Sequence, residues 1–191
     1  IKTIEELIEN NIEEVRKNFY ENGIKNVYFD RHLYQPLLSE SNEVQMSPVG
    51  LNEGERTFIE DLRKYFKKNA DQFVDKEIYV LRNQPKRGIG FFETSFFYPD
   101  FILWIKEIDM QHIVFIDPKG LSRMHKGIEE EKVQLFNKIK DLEEKLSYDY
   151  NINLHSFIIS VTPYKDAKGL FNSKRREDLE KHNIFFQKDD P

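Results

Sequence analysis

Two strand-length runs without a polar residue, Phe101-Ile102-Leu103-Trp104-Ile105 and Ile113-Val114-Phe115-Ile116, constrain the fold of this chain more than any other feature. A strand with one wet face alternates apolar with polar residues, so an unbroken apolar run reads as a strand buried on both faces inside a sheet. The segment between the runs, Lys106 to His112, is mostly polar and of hairpin-loop length, which predicts antiparallel neighbours. The first run is entered through Tyr98-Pro99-Asp100, with proline at a tolerated strand start and Asp100 expected just inside. The second run ends in Asp117-Pro118-Lys119. In an antiparallel pair the start of one strand lies beside the end of the other, so Asp100 is expected alongside Asp117.

Side chains two apart on a strand share a face, which puts Asp117 with Lys119, and Asp100 with Ile102 and Trp104. Neighbouring strands are about 4.8 Å apart. At that separation two bare carboxylates repel by roughly 3–4 kcal/mol at an effective dielectric near 20. A divalent cation between them removes the conflict. Oxygen-only ligation favours Mg2+, with Mn2+ as substitute, held by one or two carboxylates together with substrate phosphate and water. Lys119 would then stabilise developing negative charge or orient a nucleophile. The layout suits metal-dependent hydrolysis at phosphorus.

A third acid is available from a helix. Leu51 to Lys68 carries Phe58, Ile59, Leu62, Tyr65 and Phe66 at spacings of three and four, and Glu55 extends that stripe at its N-terminal end. Glu53 and Glu60 fall off it. Two readings of Glu55 stand side by side. It is a further metal ligand or base reaching the sheet's edge, or it forms a capping box with Asn52 and only satisfies a backbone donor.

Glu55, Pro99-Asp100 and Asp117-Pro118-Lys119, in this order, resemble the signature of the PD-(D/E)xK nuclease superfamily. The stretch from about Gly88 to Leu121 looks like the C-terminal nuclease domain of type III restriction enzyme Res subunits and related helicase–nuclease proteins. The similarity runs through residues 47 to 188 in order of elements, but its specific content lies in the motif region. The resemblance implies a restriction-endonuclease-like α/β core, a mixed central sheet flanked by helices in the order α-β-β-β-α-β. It implies that Asp100, Asp117 and the backbone carbonyl of Pro118 bind Mg2+, and that Lys119 acts on the attacking water. It further implies double-stranded DNA as substrate, a covalently linked helicase/ATPase domain and a modification subunit. A repair or structure-specific nuclease of the same fold is the competing enzyme reading. A non-catalytic docking module is the reading from another class.

Composition bounds these expectations. The 191-residue chain is long enough for one domain with an appended arm. Residues 1–46 read as an N-terminal arm or junction: Thr3 and Glu6 open an amphipathic helix through Ile4, Leu7, Ile8, Ile12, Val15 and Phe19, and Asn26 to Phe29 is a strand candidate. Residues 47–191 read as the nuclease domain. A start at Ile1 and an end on Asp189-Asp190-Pro191, just after strand-like sequence, suggest a piece of a longer polypeptide. With no cysteine, disulfides and thiolate metal sites are excluded, and a reducing cytoplasm is the expected setting. No apolar run approaches membrane-spanning length. The five histidines show no paired ligand spacing, which argues against zinc.

A net charge of -5 argues against strong autonomous DNA binding, which normally leaves a basic footprint. Local positive charge occurs at Lys86-Arg87, at Arg123 and Lys126 beside the motif, and at Lys174-Arg175-Arg176. Further along, Lys76 to Arg82 predicts a strand, Gly90 to Ile105 one long bent strand, and Gly127 to Leu146 a helix with Ile128, Leu135, Ile139, Leu142 and Leu146 on one face. Lys132 falls near that face at its N-terminal end and is a weak substrate-contact candidate with Lys126 and Arg123. Ser156 to Val161, a helix over 173–181 and a terminal strand complete the order.

Overall fold

The computed structural model describes residues 26–27, 37–38, 50–84, 86, 88–91, 97–119, 121, 126–146, 151–171 and 175–189. The expected helix of Ile4 to Phe19 lies outside the described residues, as does Arg123. Within the arm, β1 (Asn26–Val27) pairs antiparallel with β2 (Leu37–Leu38), in part where a strand was expected. The remainder is an α/β unit: α1 (Glu53–Lys68), β3 (Glu77–Arg82), β4 (Phe101–Lys106), β5 (Gln111–Lys119), α2 (Glu131–Leu146), β6 (Ile152–Ser160), two short helices α3 (Tyr164–Ala167) and α4 (Arg176–Glu180), and β7 (Ile184–Phe186).

These five strands form one open mixed sheet in the order β3-β4-β5-β6-β7. The first two pairings are antiparallel and the last two parallel. The strand without alternation, β5, occupies the centre, as its composition requires. Even and odd residues then sort into two layers. Ile78, Val80, Phe101, Leu103, Val114 and Ile116 pack against Phe58, Ile59 and Phe66 of α1. Ile102, Phe115 and Leu154 pack against Leu135 and Ile139 of α2. Each fully buried side chain of this kind contributes roughly 1.5–3 kcal/mol, so helices on both faces anchor the two strands that carry the motif.

Three expectations are corrected. The aromatic stretch from Gly90 is not one long strand: Phe91 and Phe97 form an isolated antiparallel bridge, and β4 begins only at Phe101. Phe91 meets Phe115 edge-on at 4.8 Å. The helix expected from Gly127 begins later, at Glu131. Gly127 is left-handed (φ 57) and opens a separate 3-10 turn, Gly127–Glu129, and Glu130 is extended. On α2 itself Leu142 is exposed, and Val133 takes the buried place. Finally, the run after Val161 contains α3 where no helix was expected.

Among the described residues, no strand lies on the outer side of the lower half of β6, since β7 pairs only with Ile158 to Ser160. Its outward backbone groups are met by side chains. Glu143 of α2 accepts from the Leu154 N–H, Lys140 donates to the Leu154 carbonyl at 2.7 Å, and Asn183 donates to the Ser156 carbonyl at 3.0 Å.

Candidate functional site

The last residue pair shared by β4 and β5 is Phe101 with Ile116, so the next step of the register sets Asp100 opposite Asp117. Asp100 lies one residue before β4, in a bend, rather than just inside it. Beyond this point β4 has ended, while β5 continues through Asp117, Pro118 and Lys119 paired only with β6. Alternation from Phe115, which packs toward α2, carries Asp117 and Lys119 to the same side. Asp100 follows Ile102 to that side. The two acids and the lysine thus meet where a central strand loses a neighbour.

Pro118 fits the same break. The Lys119 carbonyl accepts from Val161 N–H at 3.0 Å on the β6 side, so the carbonyl of Pro118, one residue earlier, is directed to the side that β4 has vacated. The N–H that proline lacks would point the same way, where no ladder partner remains. A proline inside a central strand is tolerated for this reason.

Asp117 is buried, and its Oδ2 has no hydrogen-bond partner. Lys119 Nζ stands 3.9 Å from that oxygen, beyond hydrogen-bond range. The Asp100 carboxyl is pushed up to about 8, first by burial, then by the Asp117 charge and the hydrogen bond between the two carboxyls, and then by Glu55; Lys119 opposes the shift. The half-buried Lys132 of α2 is pushed down, first by burial and then by the adjacent Lys119 ammonium, against the pull of Asp117 and Glu130. Two carboxyls and two ammonium groups therefore converge from β4, β5 and α2.

Glu55 forms the capping box. Its Oε2 accepts from Asn52 N–H at 3.0 Å, and its own N–H donates to Asn52 Oδ1 at 3.0 Å. The same Oε2 accepts from Arg82 Nη2 at 3.2 Å, and Arg82 also donates to the Gly50 carbonyl at 3.0 Å. Glu55 is near enough to raise Asp100 but is engaged in holding the start of α1. Glu55→Ala is expected to cost roughly 1–3 kcal/mol in urea unfolding, since a cap and an ion-pair partner are lost together. A cost below about 0.5 kcal/mol would remove its structural role.

Arg82 escaped the sequence reading. The signal was present: a cation ending the strand Ile78-Tyr79-Val80-Leu81, and β3 pairs it with Phe101, next to Asp100. Lys126 is exposed, and its backbone N–H donates to Glu130 Oε1 at 3.1 Å.

The donor set fits a divalent cation. It offers an orphaned buried carboxylate oxygen, a second carboxyl opposite it and a backbone carbonyl directed to the same gap. Among the described residues no three His, Cys, Asp or Glu side chains form a complete cage. Two carboxylates with remaining positions for water and phosphate are the usual arrangement for Mg2+. No family model matches the chain, and neither curated proteins nor solved structures give a match to it.

Proposed function

We propose that this chain is a Mg2+-dependent DNA endonuclease domain with a restriction-endonuclease-like fold, akin to the nuclease part of type III restriction or related helicase–nuclease proteins. One observation carries the reading: Asp117 Oδ2 is buried without a donor, directly across the strand break from Asp100. A buried carboxylate oxygen left unpaired costs several kcal/mol in ordinary structures. A structural ion-pair network would have satisfied it.

In this reading Asp100, Asp117 and the Pro118 carbonyl hold the ion. Mg2+ held there would supply Lewis acidity toward a phosphoryl oxygen and toward water. Lys119, on the Asp117 face, orients the attacking water and offsets charge as it develops. Lys132 offers a second ammonium to a non-bridging phosphate oxygen. The net charge of -5 assigns most DNA affinity to other parts of the assembly, a linked translocating ATPase and a modification subunit by resemblance. The setting we propose is cytoplasmic; among the described residues no helix is long and apolar enough to cross a membrane.

The test is nicking of supercoiled plasmid at high protein concentration with Mg2+ or Mn2+, comparing wild type with Lys119→Ala. Metal-dependent nicking confined to wild type, with Mn2+ binding and folding retained in the variant, is the expected result. If wild type neither nicks nor binds Mn2+ in a direct titration, the reading fails in favour of a docking module.

A further inference from the structure

The Asn83 side chain makes three hydrogen bonds beside the acid pair. It is buried, at 5% exposure, one residue beyond β3. Its Nδ2 donates to the Pro99 carbonyl at 2.9 Å and to the Ile89 carbonyl at 2.7 Å, and its Oδ1 accepts from the Ile89 N–H at 3.0 Å. The Ile89 donor fixes the orientation of the carboxamide, because a flipped amide would set donor against donor. The backbone N–H of Asn83 donates to the Asp100 carbonyl at 2.8 Å. The peptide groups on both sides of Asp100 are therefore held by this one residue.

The other end of the clamp is the loop from Gln84 to Gly90. It closes through the Gly88 N–H on the Gln84 carbonyl at 2.8 Å, with Lys86 in a left-handed conformation (φ 65). Gly88 approaches the clamp so closely that a Cβ there would lie 1.9 Å from Asn83 Oδ1. Only glycine leaves the carboxamide in place. Lys86 and Ile89 are exposed on this loop.

We propose that Asn83 is a positioning residue for the metal centre, fixing the backbone of Asp100 and coupling it to the loop Gln84–Gly90. The proposal rests on the nuclease reading and deepens it. Asp100 lies just before its strand, so β4 pairing alone does not hold its carboxyl toward Asp117. The clamp replaces the missing strand order. No apolar or hydroxylic side chain reproduces two donors and one acceptor in this plane, and aspartate lacks the donors. Groups that orient a metal ligand without touching the ion typically govern affinity by roughly 10–100-fold.

The experiment measures Mn2+ binding by electron paramagnetic resonance on wild type, Asn83→Ser, Gly88→Ala and the double variant, each checked by thermal unfolding. Gly88→Ala disturbs the carboxamide from an exposed loop and leaves core packing untouched, so it serves if Asn83→Ser does not fold. The expected result is folded Gly88→Ala protein binding Mn2+ at least about tenfold more weakly than wild type, with the double variant no weaker than the worse single one. Wild-type affinity in folded Gly88→Ala overturns the role of Asn83 while leaving the metal centre standing. Absence of Mn2+ binding in wild type overturns the nuclease reading and, with it, this assignment.

Discussion

Asp117→Asn is expected to abolish Mg2+-dependent nicking, by roughly a thousandfold or more, while raising the melting temperature of the metal-free protein. The two effects have one cause. The buried Asp117 carboxylate faces Asp100 across the end of β4, with one oxygen unpartnered. In the absence of a cation this is uncompensated desolvation, joined by repulsion once Asp100 ionises; with a cation it is the ligand. An amide cannot repel Asp100, and it binds Mg2+ poorly. For a domain of this size each kcal/mol of relief is worth roughly 2–4 °C. Plasmid nicking and thermal scans in EDTA read the two arms separately. A variant that loses activity because it unfolds would show that Asp117 is chiefly structural.

Asp100 governs how stability responds to pH. Its carboxyl is raised from an ordinary value of 3.8 to about 8 by burial and the neighbouring Asp117 charge. The folded state thus holds a proton over a window in which the unfolded chain has released it. Stabilisation from this group is complete below about pH 4 and is lost as pH rises through about 8. The effect is on the order of a few kcal/mol. Urea unfolding in EDTA at pH 5 and pH 9 is expected to show wild type weakening more across that interval than Asp100→Asn. Every other titrating group is common to both proteins, so parallel pH profiles would contradict the paired-carboxyl picture. Added Mg2+ should recover stability at pH 9 in wild type and not in the variant.

How much of this was legible beforehand depends on the range of the interactions. Ile113 to Ile116 lacks alternation, and that local fact placed β5 at the centre of the sheet. The polar hairpin from Lys106 to His112 then set the register that brings Asp100 to Asp117. Both inferences need only neighbouring sequence. Glu55 was ambiguous because a capping box and an inward acid use the same residue at the same spacing; the structure realises the cap and adds Arg82. Helix periodicity put Lys132 near the inner face of its helix as a weak substrate-contact candidate, but its nearness to Lys119 depends on where the crossover between β5 and β6 lands. Asn83 was not singled out at all. Before Gln84-Pro85 it reads as an ordinary turn residue, yet its partners, Ile89, Pro99 and Asp100, lie across a loop. The aromatic run after Gly90 misled because phenylalanine favours strands and yet also packs on a sheet from outside it, as Phe91 does on Phe115.

The side chains lining the outer edge of β6 bear on how this protein can associate. An open edge invites another strand to pair with it, the route to domain swapping and fibrous aggregation. Here Glu143 and Lys140, themselves paired at 2.8 Å, occupy both backbone groups of Leu154, and Asn183 occupies the next carbonyl. Strand addition would have to displace an ion pair and an amide before gaining its first hydrogen bond. A strand arriving at this stretch of β6 would therefore compete with side chains already in place, which disfavours pairing there.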